Sequence, residues 1–554
     1  MTISTTRYLL QDYDYILLVA SWGLLKGYKR AVYHLEVEKS NETGFRRAIV
    51  SDQKLHRSST TAIRDILKDK LNIDNLDLLI FVQDTLLLDR IIQYEDRYFN
   101  KAFLRCELEE SLLYELYNSN KEVAEELGVR EAKDYEKLTM FVPGVIVTKS
   151  GAYVYSWRGE RVYNILKGLI IFYIYRKLKS IPESVRRIAI LLDTTHGINY
   201  FVTALKEGVS IGATLYAFDR LIDTIIRNGF QLNEIVVYHY NSDPIRPSEA
   251  DEYSLKIHLL EKIPIMKQGK INFTRILTII KEPLSIMGYA DLRNWFDNMW
   301  RNVEWDKIIQ ALALFSKGLL IWALRVALDI GELPEEEDIE YVAKNIGLSF
   351  RMNKRVYKID YSSQRVPVSQ VIEYITLAKS LKNLARRIKF RNNISRTVSK
   401  IVDCLINESK ENEETKELVN ILENLIKIKD RIACLDIELL LRSVKTLYDS
   451  PYVDINVNEL KELKRYLLGE NEPKWIPVSD HTYIEPKSKC AFFVDYRGLK
   501  MLVSIPNNVN PRDFFAHAGL AYGLQWFALG KQGKVILCLG DYRKVLQLLH
   551  TAPI

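Results

Sequence analysis

The stretch that most constrains the fold is Arg187–Tyr200, where an apolar run turns abruptly polar and a helical pattern follows. Ile188–Leu192 is a short, continuous apolar run, which is typical of a strand buried on both faces. The run ends in Asp193, and a turn containing Gly197 leads directly into the next helix. The stretch therefore predicts a strand–turn–helix unit of an α/β domain.

Polar side chains crowd this turn. Thr194, Thr195 and Asn199 can donate hydrogen bonds, and the first turn of the following helix has free backbone N–H groups. His196 can contact a phosphate or a base. The simpler alternative is that Thr195 only caps the helix and His196 is only a polar loop residue. Because several donors converge at one strand end, we favour a ligand-binding turn that includes Gly197.

Three other apolar runs predict parallel neighbours for this strand: Tyr15–Ala20, Leu78–Val82 and Ile235–Tyr240. The first passes into Ser21-Trp22-Gly23 and a basic segment, and the second into Gln83-Asp84-Thr85. His239 lies inside a run, so we interpret it as a satisfied core or edge residue rather than a ligand. Helical patterns separate the runs, and the order β, α, β, α predicts a doubly wound, Rossmann-like domain over residues 1–245. A strand that runs into a glycine-containing, basic loop, as at Ser21-Trp22-Gly23, is a usual place for an anionic ligand, and the simpler alternative is a plain strand-to-loop connection with solvated lysines.

The remaining chain has a different character. Its 554 residues suggest two to four domains, and the formal charge of +7 permits nucleic-acid binding without demanding it. Residues 246–295 are expected to form a linker or a small helix-turn-helix-like region. From residue 296 to 554 we expect an almost wholly helical domain, with helices near 295–330 and 368–388, a strand-like segment at 535–539 and a possible insertion at 400–470.

Several classes of protein are disfavoured. The five cysteines form no CxxC pair, so a zinc ribbon or a disulfide framework is not expected. We also find no Walker loop, HExxH or Gly-x-Ser-x-Gly motif. The apolar run 165–175 is too short to cross a membrane, and the run 311–330 is interrupted by Lys317 and Arg325. We therefore expect buried helices and a cytoplasmic protein.

The candidate catalytic pair is Arg512 and His517, near the C-terminus. Asn510 and Pro511 suit the start of a helix, which an apolar pattern extends to Phe527. Five helical steps of about 100° place Arg512 and His517 roughly 140° apart around the axis. They converge only if the arginine wraps around the helix end or a second copy of the helix packs alongside.

This pair suits RNA cleavage, because RNA supplies its own nucleophile in the 2′-hydroxyl. His517 can move a proton near neutral pH, and Arg512 can brace the developing negative charge. An in-line displacement needs both an acid and a base, which a symmetric dimer would supply with a second pair. No metal is then required for catalysis. An arginine and a histidine at this spacing also occur by chance.

Two sets of residues together resemble known families. Arg512-Asp513-Phe514-Phe515-Ala516-His517 resembles the RxxxxH motif of HEPN ribonucleases. Asp193-Thr194-Thr195-His196-Gly197-Ile198-Asn199-Tyr200 resembles the ligand-loop signature of CARF domains, the CRISPR-associated Rossmann fold. The order of the two is similar to that of the CARF–HEPN ancillary ribonucleases of type III CRISPR systems.

The resemblance implies an activity. A CARF dimer would bind a cyclic oligoadenylate, with cyclic tetra-adenylate as the expected ring, and switch on a metal-independent endoribonuclease acting on single-stranded RNA in antiviral defence. Arg512 and His517 would be catalytic, and the ligand would contact the turn residues Thr194, Thr195, His196, Gly197 and Asn199 and the strand-end residues Ser21 to Gly23, Asp84 and Thr85. A homodimer or higher homo-oligomer is expected, with no stable complex with the CRISPR effector. Asp513 departs from the motif, which often has asparagine there.

Two alternatives stay open. A CARF-type sensor without ribonuclease activity would instead regulate DNA or dock a partner. A CARF domain that also degrades its own activator would act as a timer, with His196 and the neighbouring hydroxyls as the reacting groups.

Overall fold

The computed structural model describes the following residues: 7–22, 30–41, 44–84, 87, 102–104, 109–142, 153–155, 159–196, 199–227, 232–243, 253–280, 303–316, 319–339, 347–353, 356–360, 368–389, 433–436, 443, 476–479, 482–485, 490–494, 500–504, 525–529 and 535–539. They fall into two compact units. The first contains residues 1–220, 230–272 and 334–373, and the second contains residues 221–229, 273–333 and 374–554.

The strands are numbered in chain order. They are β1 (Tyr15–Trp22), β2 (Ala31–Asn41), β3 (Gly44–His56), β4 (Leu76–Gln83), β5 (Ala102–Leu104), β6 (Thr139–Val142), β7 (Tyr153–Tyr155), β8 (Arg187–Asp193), β9 (Glu234–Ser242), β10 (Tyr253–Lys267), β11 (Lys270–Ile271), β12 (Gly347–Asn353), β13 (Val356–Asp360), β14 (Ala433–Asp436), β15 (Ile476–Ser479), β16 (Thr482–Glu485), β17 (Cys490–Val494), β18 (Lys500–Ser504), β19 (Gln525–Leu529) and β20 (Val535–Leu539).

The α-helices are numbered in the same way. They are α1 (Ser59–Asp65), α2 (Glu109–Ser119), α3 (Lys121–Glu126), α4 (Gly159–Lys179), α5 (Asn199–Arg227), α6 (Phe273–Ile280), α7 (Trp305–Ser316), α8 (Leu320–Leu328) and α9 (Val368–Ile388). Short 3-10 segments cover Leu9–Asp12 and Ala132–Lys137, and one π-helical turn, Ile66–Lys70, continues α1.

The first unit is built on a sheet with the order β3-β2-β10-β9-β8-β1-β4-β6, and β11 pairs with β10. Strands β9, β8, β1, β4 and β6 are parallel. The sequence analysis placed strands at β1, β4, β8 and β9, and these predictions are confirmed. Their apolar side chains are buried on both faces, because helices or other segments must cover each face of a parallel sheet.

Helices α4 and α5 pack at unusually close range. A Cβ atom added at Gly208 of α5 would lie 2.6 Å from Ile170 Cγ2, and one at Gly212 would lie 2.9 Å from the carbonyl oxygen of Ile171. Only glycine allows the two helix backbones to approach this closely. Helix α4 includes the apolar run 165–175, and its burial confirms the prediction of a buried helix there.

Strands β2, β3 and β10 extend the parallel sheet with mixed pairing. β10 is antiparallel to β9 and parallel to β2. A β-bulge interrupts the β9 register near Leu259, and the buried carboxylate of Glu36 accepts a hydrogen bond from the Leu259 N–H at 3.1 Å. Because β10 belongs to this sheet, residues 253–267 are not the linker or helix-turn-helix that the sequence analysis expected.

A small second sheet has the order β5-β12-β13-β7. β12 is antiparallel to β5, and β13 is parallel to β7. Residues 347–360 therefore pair with strands of the first unit. The sequence analysis had assigned these residues to the C-terminal domain. A local sequence pattern cannot reveal the true pairing, because the partner strands are about 200–250 residues away.

The second unit is only partly helical. The expected helix near 295–330 is present as α7 and α8, and the helix at 368–388 is confirmed as α9. However, β14 to β20 form an antiparallel sheet with the order β14-β20-β19-β18-β17-β16-β15. The prediction of an almost wholly helical domain is wrong for these strands, and Phe527 lies in β19 rather than in a helix. The strand-like segment at 535–539 is confirmed.

The described helices were also searched for a membrane span. None of them is both long enough and apolar enough to cross a bilayer.

Candidate ligand-binding site

The parallel strands that follow β1 along the chain lie first on one side of it and then on the other. From β1 the sheet grows through β4 and β6 on one side and through β8 and β9 on the other. The carboxyl ends of β1 and β8 are therefore neighbours, with Ala20 opposite Asp193. Ligands of open α/β sheets bind in the crevice at such a switch point. Ser21 and Thr194, which follow this pair, therefore lie at the same edge of the sheet.

Asp193 holds the turn together. Its side chain is buried, with 1% of the residue exposed, and accepts four hydrogen bonds. Oδ2 accepts from Ser59 Oγ and Thr60 Oγ1, both at 2.7 Å. Oδ1 accepts from the backbone N–H of Thr195 at 3.1 Å and from its Oγ1 at 2.6 Å. These donors offset the cost of burying the carboxylate and fix the turn to α1.

Helix α1 delivers its N-terminal hydroxyls to Asp193. Ser58 is the N-cap and accepts a hydrogen bond from the Thr60 N–H at 3.1 Å. Thr60 Oγ1 also accepts from Trp22 Nε1 at 3.1 Å. The indole of Trp22 is only 1% exposed. Trp22 is therefore connected to the turn through Thr60 and Asp193, rather than lying open as a surface for a ligand.

Thr194 ties the turn to β9. Its backbone N–H and its hydroxyl both donate to the carbonyl of Tyr240 at 3.1 Å. Because the single Thr194 proton is used there, His239 Nε2 donates to Thr194 Oγ1 at 2.9 Å. Both side chains are buried, which confirms the interpretation of His239 as a core residue. Burial lowers the pKa of His239, and the Lys206 charge lowers it further.

Thr195 and His196 are the partly exposed side chains of the turn. Thr195 Oγ1 accepts from the Ser242 N–H at 3.2 Å while donating to Asp193. His196 Nε2 lies 3.4 Å from Ser59 Oγ, whose own proton is committed to Asp193. Burial lowers the pKa of His196, and the negative charge of Asp193 opposes that shift. The imidazole is therefore neutral at pH 7.

Further polar residues lie at the carboxyl ends of β1 and β4. The hydroxyl of Ser21 is buried and has no hydrogen-bond partner among the described residues. Nearby, Tyr200 in the first turn of α5 donates to Gln83 Oε1 at 2.9 Å. Asp84 is buried at the end of β4, where its backbone N–H donates to the Val142 carbonyl at 2.9 Å. A buried hydroxyl without a partner is costly, and a bound ligand would satisfy it.

Several predicted site residues cannot be placed. Gly23, Thr85, Gly197, Arg512 and His517 lie outside the described residues. Asn199 begins α5, but its side chain is not described.

Sequence analysis missed Ser59 and Thr60. The sequence marked Ser58-Ser59-Thr60-Thr61 only as a helix cap. Four consecutive hydroxyl residues at a helix start exceed what capping needs, since one side chain is sufficient. That excess is a signal, but nothing local indicates that the partner is Asp193, more than 130 residues away.

The two histidines with lowered pKa values, His196 and His239, predict how stability responds to pH. Both histidines have folded pKa values below the ordinary value near 6.5. As the pH falls, the unfolded chain therefore binds protons before the folded protein does. Stability is therefore full above about pH 6.5 and falls on acidification. For His239 the slope is at most about 1.4 kcal/mol per pH unit. Urea unfolding between pH 7.5 and 5 should show a shallower loss in His239→Gln than in the wild type, and an unchanged slope would contradict this assignment.

The chain was compared with models of known protein families. Residues 17–244 match the family model described as CRISPR system endoribonuclease Csx1, CARF domain. The matched range begins within β1 and extends past the end of β9, so it includes α1 and the turn that follows Asp193. The N-terminal part of the chain is thus a CARF domain with Rossmann-like parallel strands. CARF domains bind cyclic oligoadenylates in type III CRISPR defence. A search of curated proteins finds no match to the chain.

Proposed function

We propose that this CARF protein is a cyclic-oligoadenylate-activated, metal-independent endoribonuclease that cleaves single-stranded RNA in type III CRISPR antiviral defence. The observation that carries the sensing half is the Thr195–His196 turn at the switch point between β1 and β8. Its two partly exposed side chains are supported by the buried Asp193, which accepts four hydrogen bonds. Such a turn is held in one conformation before ligand arrives, which lowers the entropic cost of binding.

The ligand chemistry follows from the groups at the crevice. A ring of adenylates carries phosphates and bases, and it needs hydrogen-bond donors more than positive charge alone. Thr195 Oγ1 and His196 Nδ1 can accept hydrogen bonds from adenine amino groups, and backbone N–H groups at the start of α5 can donate to a phosphate. The unsatisfied Ser21 hydroxyl adds one more group at the same edge. Cyclic tetra-adenylate is the ring we propose.

A dimer completes both halves of the proposal. A cyclic ligand with even-numbered symmetry can lie on a two-fold axis and contact the same turn in both subunits. The same axis would bring together two copies of Arg512 and His517, giving one acid and one base. Ligand binding would then switch activity by favouring one arrangement of the two subunits. We place the ribonuclease within residues 296–554 and the protein in the cytoplasm, acting without a stable effector complex.

Ligand binding can be measured directly. Isothermal titration of cyclic tetra-adenylate should give one ring per two chains. The variant Thr195→Val/His196→Ala should bind at least tenfold more weakly, because it loses two of the exposed polar groups. Asn75→Ala, at the opposite end of the sheet, is the matched control and should bind like the wild type. Equal binding by the turn variant would remove this site from the proposal.

One observation favours keeping a second candidate. The described strands β14 to β20 form an antiparallel sheet where a helical ribonuclease domain was expected. A CARF sensor that docks DNA or a partner, without cutting RNA, is compatible with such a unit. Ligand-dependent binding to duplex DNA with intact RNA would favour it. Degradation of the ring itself would be seen by chromatography of the ligand after incubation.

A further inference from the structure

A second cluster of chemically capable side chains lies at the junction of β3 and α1. Asp52 and His56 on β3 and Asp65 at the end of α1 offer ligand atoms that all lie within 4.8 Å of one another. Asp52 and His56 are 1% and 2% exposed. We propose that these three side chains bind one divalent cation, for which Zn²⁺ has the best chemistry, as a structural site.

The ligand types suit zinc. Imidazole nitrogen and carboxylate oxygen bind Zn²⁺ at roughly 2.0–2.2 Å, and neighbouring ligands of a tetrahedral site are then ~3.3 Å apart. His56 Nε2 and Asp52 Oδ2 are 3.2 Å apart, so one ion can contact both with almost no movement. Two carboxylates also balance the charge of the ion. Water would complete the coordination on the partly exposed Asp65 side.

The surroundings of the three ligands resemble the support that metal sites require. Metal-binding histidines usually direct their other nitrogen at a carboxylate, which fixes the ring. His56 Nδ1 lies 3.9 Å from Glu126 Oε2, and Thr61 Oγ1 donates to that same oxygen at 2.7 Å. Asp65 is oriented by Arg64, whose Nε and Nη2 donate to Oδ1 at 3.0 and 2.8 Å. The second oxygen, Oδ2, is left for an ion.

Two lysine ammonium groups would compete with the ion for the carboxylates of Asp52 and Asp65. Lys54 Nζ is 4.0 Å from Asp65 Oδ2, and Lys70 Nζ is 4.0 Å from Asp52 Oδ1. Both side chains are largely exposed, at 57% and 43%. Exposed ion pairs of this kind contribute little, so a cation can displace both ammonium groups into water. Lys54 keeps a separate partner in Asp69 at 2.6 Å.

The proposed ion would tie β3 to α1. The first residues of α1, Ser59 and Thr60, hold Asp193, so a fixed α1 also supports the ligand turn. The role is structural and separate from RNA cleavage, which needs no metal in the mechanism above. The inference therefore stands whether or not the proposed function is correct.

The test uses the full-length protein after removal of metals with EDTA. Titration with Zn²⁺ should show a site that is weakened at least tenfold by Asp52→Asn and by His56→Gln, with a rise in melting temperature only where the site is intact. Asp69→Asn, an exposed carboxylate in the same lysine network, is the matched control. Wild type that binds no Zn²⁺, or variants that bind it equally well, would overturn the proposal.

Two further measurements guard against trivial results. The five cysteines offer other zinc ligands, so Co²⁺ should be substituted and its spectrum recorded. The proposed site predicts no thiolate-to-metal charge-transfer band. A spectrum that shows such a band and is unchanged in Asp52→Asn would contradict the proposal. If the ligand variants fail to fold, Glu126→Gln should still fold and weaken binding by about 10-fold or more. Unchanged affinity in that variant would count against the site.

Discussion

Replacing His517 with alanine is expected to lower the rate of activator-stimulated RNA cleavage by about 10²–10⁴-fold. The physical reason is that an in-line attack by the 2′-hydroxyl needs one group to accept a proton and another to donate one. If each subunit of a dimer supplies one His517, the substitution removes both groups at once. Single-turnover cleavage of a labelled single-stranded RNA, with saturating cyclic tetra-adenylate, measures the effect.

Two controls separate chemistry from folding. The His517→Ala protein should bind cyclic tetra-adenylate as tightly as the wild type, because the residue plays no part in the proposed ligand site. The substitution His550→Ala, also near the C-terminus, should leave cleavage unchanged. Cleavage that survives His517→Ala within a factor of two or three would remove this residue from the catalytic site.

The second large effect is expected at Asp193. Asp193→Ala leaves the hydroxyls of Ser59, Thr60 and Thr195 and the Thr195 N–H without their acceptor in a buried place. Each unpaired buried group costs roughly 1–3 kcal/mol, and partial relaxation should leave a net loss of about 3 kcal/mol in the free energy of unfolding. Urea unfolding measures this loss, and cyclic tetra-adenylate affinity should fall with it.

Matched variants show whether charge or hydrogen bonding matters at Asp193. Asp193→Asn keeps one carbonyl oxygen for Thr195, and its amide can donate to Ser59 and Thr60 if their hydroxyls rotate, so it should lose less stability than Asp193→Ala. Asp77→Ala is the control. Like Asp193, the Asp77 carboxylate accepts a hydrogen bond from a side-chain hydroxyl, that of Tyr15 at 2.7 Å, but its side chain is 46% exposed. It should cost less than about 1 kcal/mol. An Asp193→Ala protein as stable as Asp77→Ala would contradict the role of Asp193.

The central strands could be predicted because a strand that is buried on both faces has a continuous apolar sequence. Ile188–Leu192 and Tyr15–Ala20 are continuous apolar runs, and both became parallel strands. Polar residues follow each run, and the register of Ala20 with Asp193 places the carboxyl ends of the two strands side by side. The strand ends at which we propose the ligand site were thus predicted from the sequence.

What escaped prediction depends on distant partners. β10 contains Pro264, which argues against a central strand. In the structure Pro264 lies beyond Tyr253–Ile257, the part of β10 that pairs with β2. The burial of Trp22 likewise depends on Thr60, which reaches it from α1.

The C-terminal sheet was missed for a different reason. β15 to β20 contain only four or five residues each, and short apolar strands cannot be separated from helix segments by periodicity. Val535–Leu539 was predicted because it is uniformly apolar, whereas Gln525–Leu529 was absorbed into the helical pattern that begins near Asn510. Cross-strand pairing, which no local pattern contains, decided between the two.

The central claim is that a ligand at the β8–α5 turn switches on RNA cleavage. The most direct measurement is the rate of single-stranded RNA cleavage by the full-length protein, without added divalent metal ions, as cyclic tetra-adenylate is titrated. We predict negligible cleavage without the ring and a rise that saturates near one ring per two chains. We also predict that Thr195→Val/His196→Ala requires at least tenfold more ring for the same rate. Equal cleavage with and without the ring, or no cleavage at any concentration, would contradict the claim.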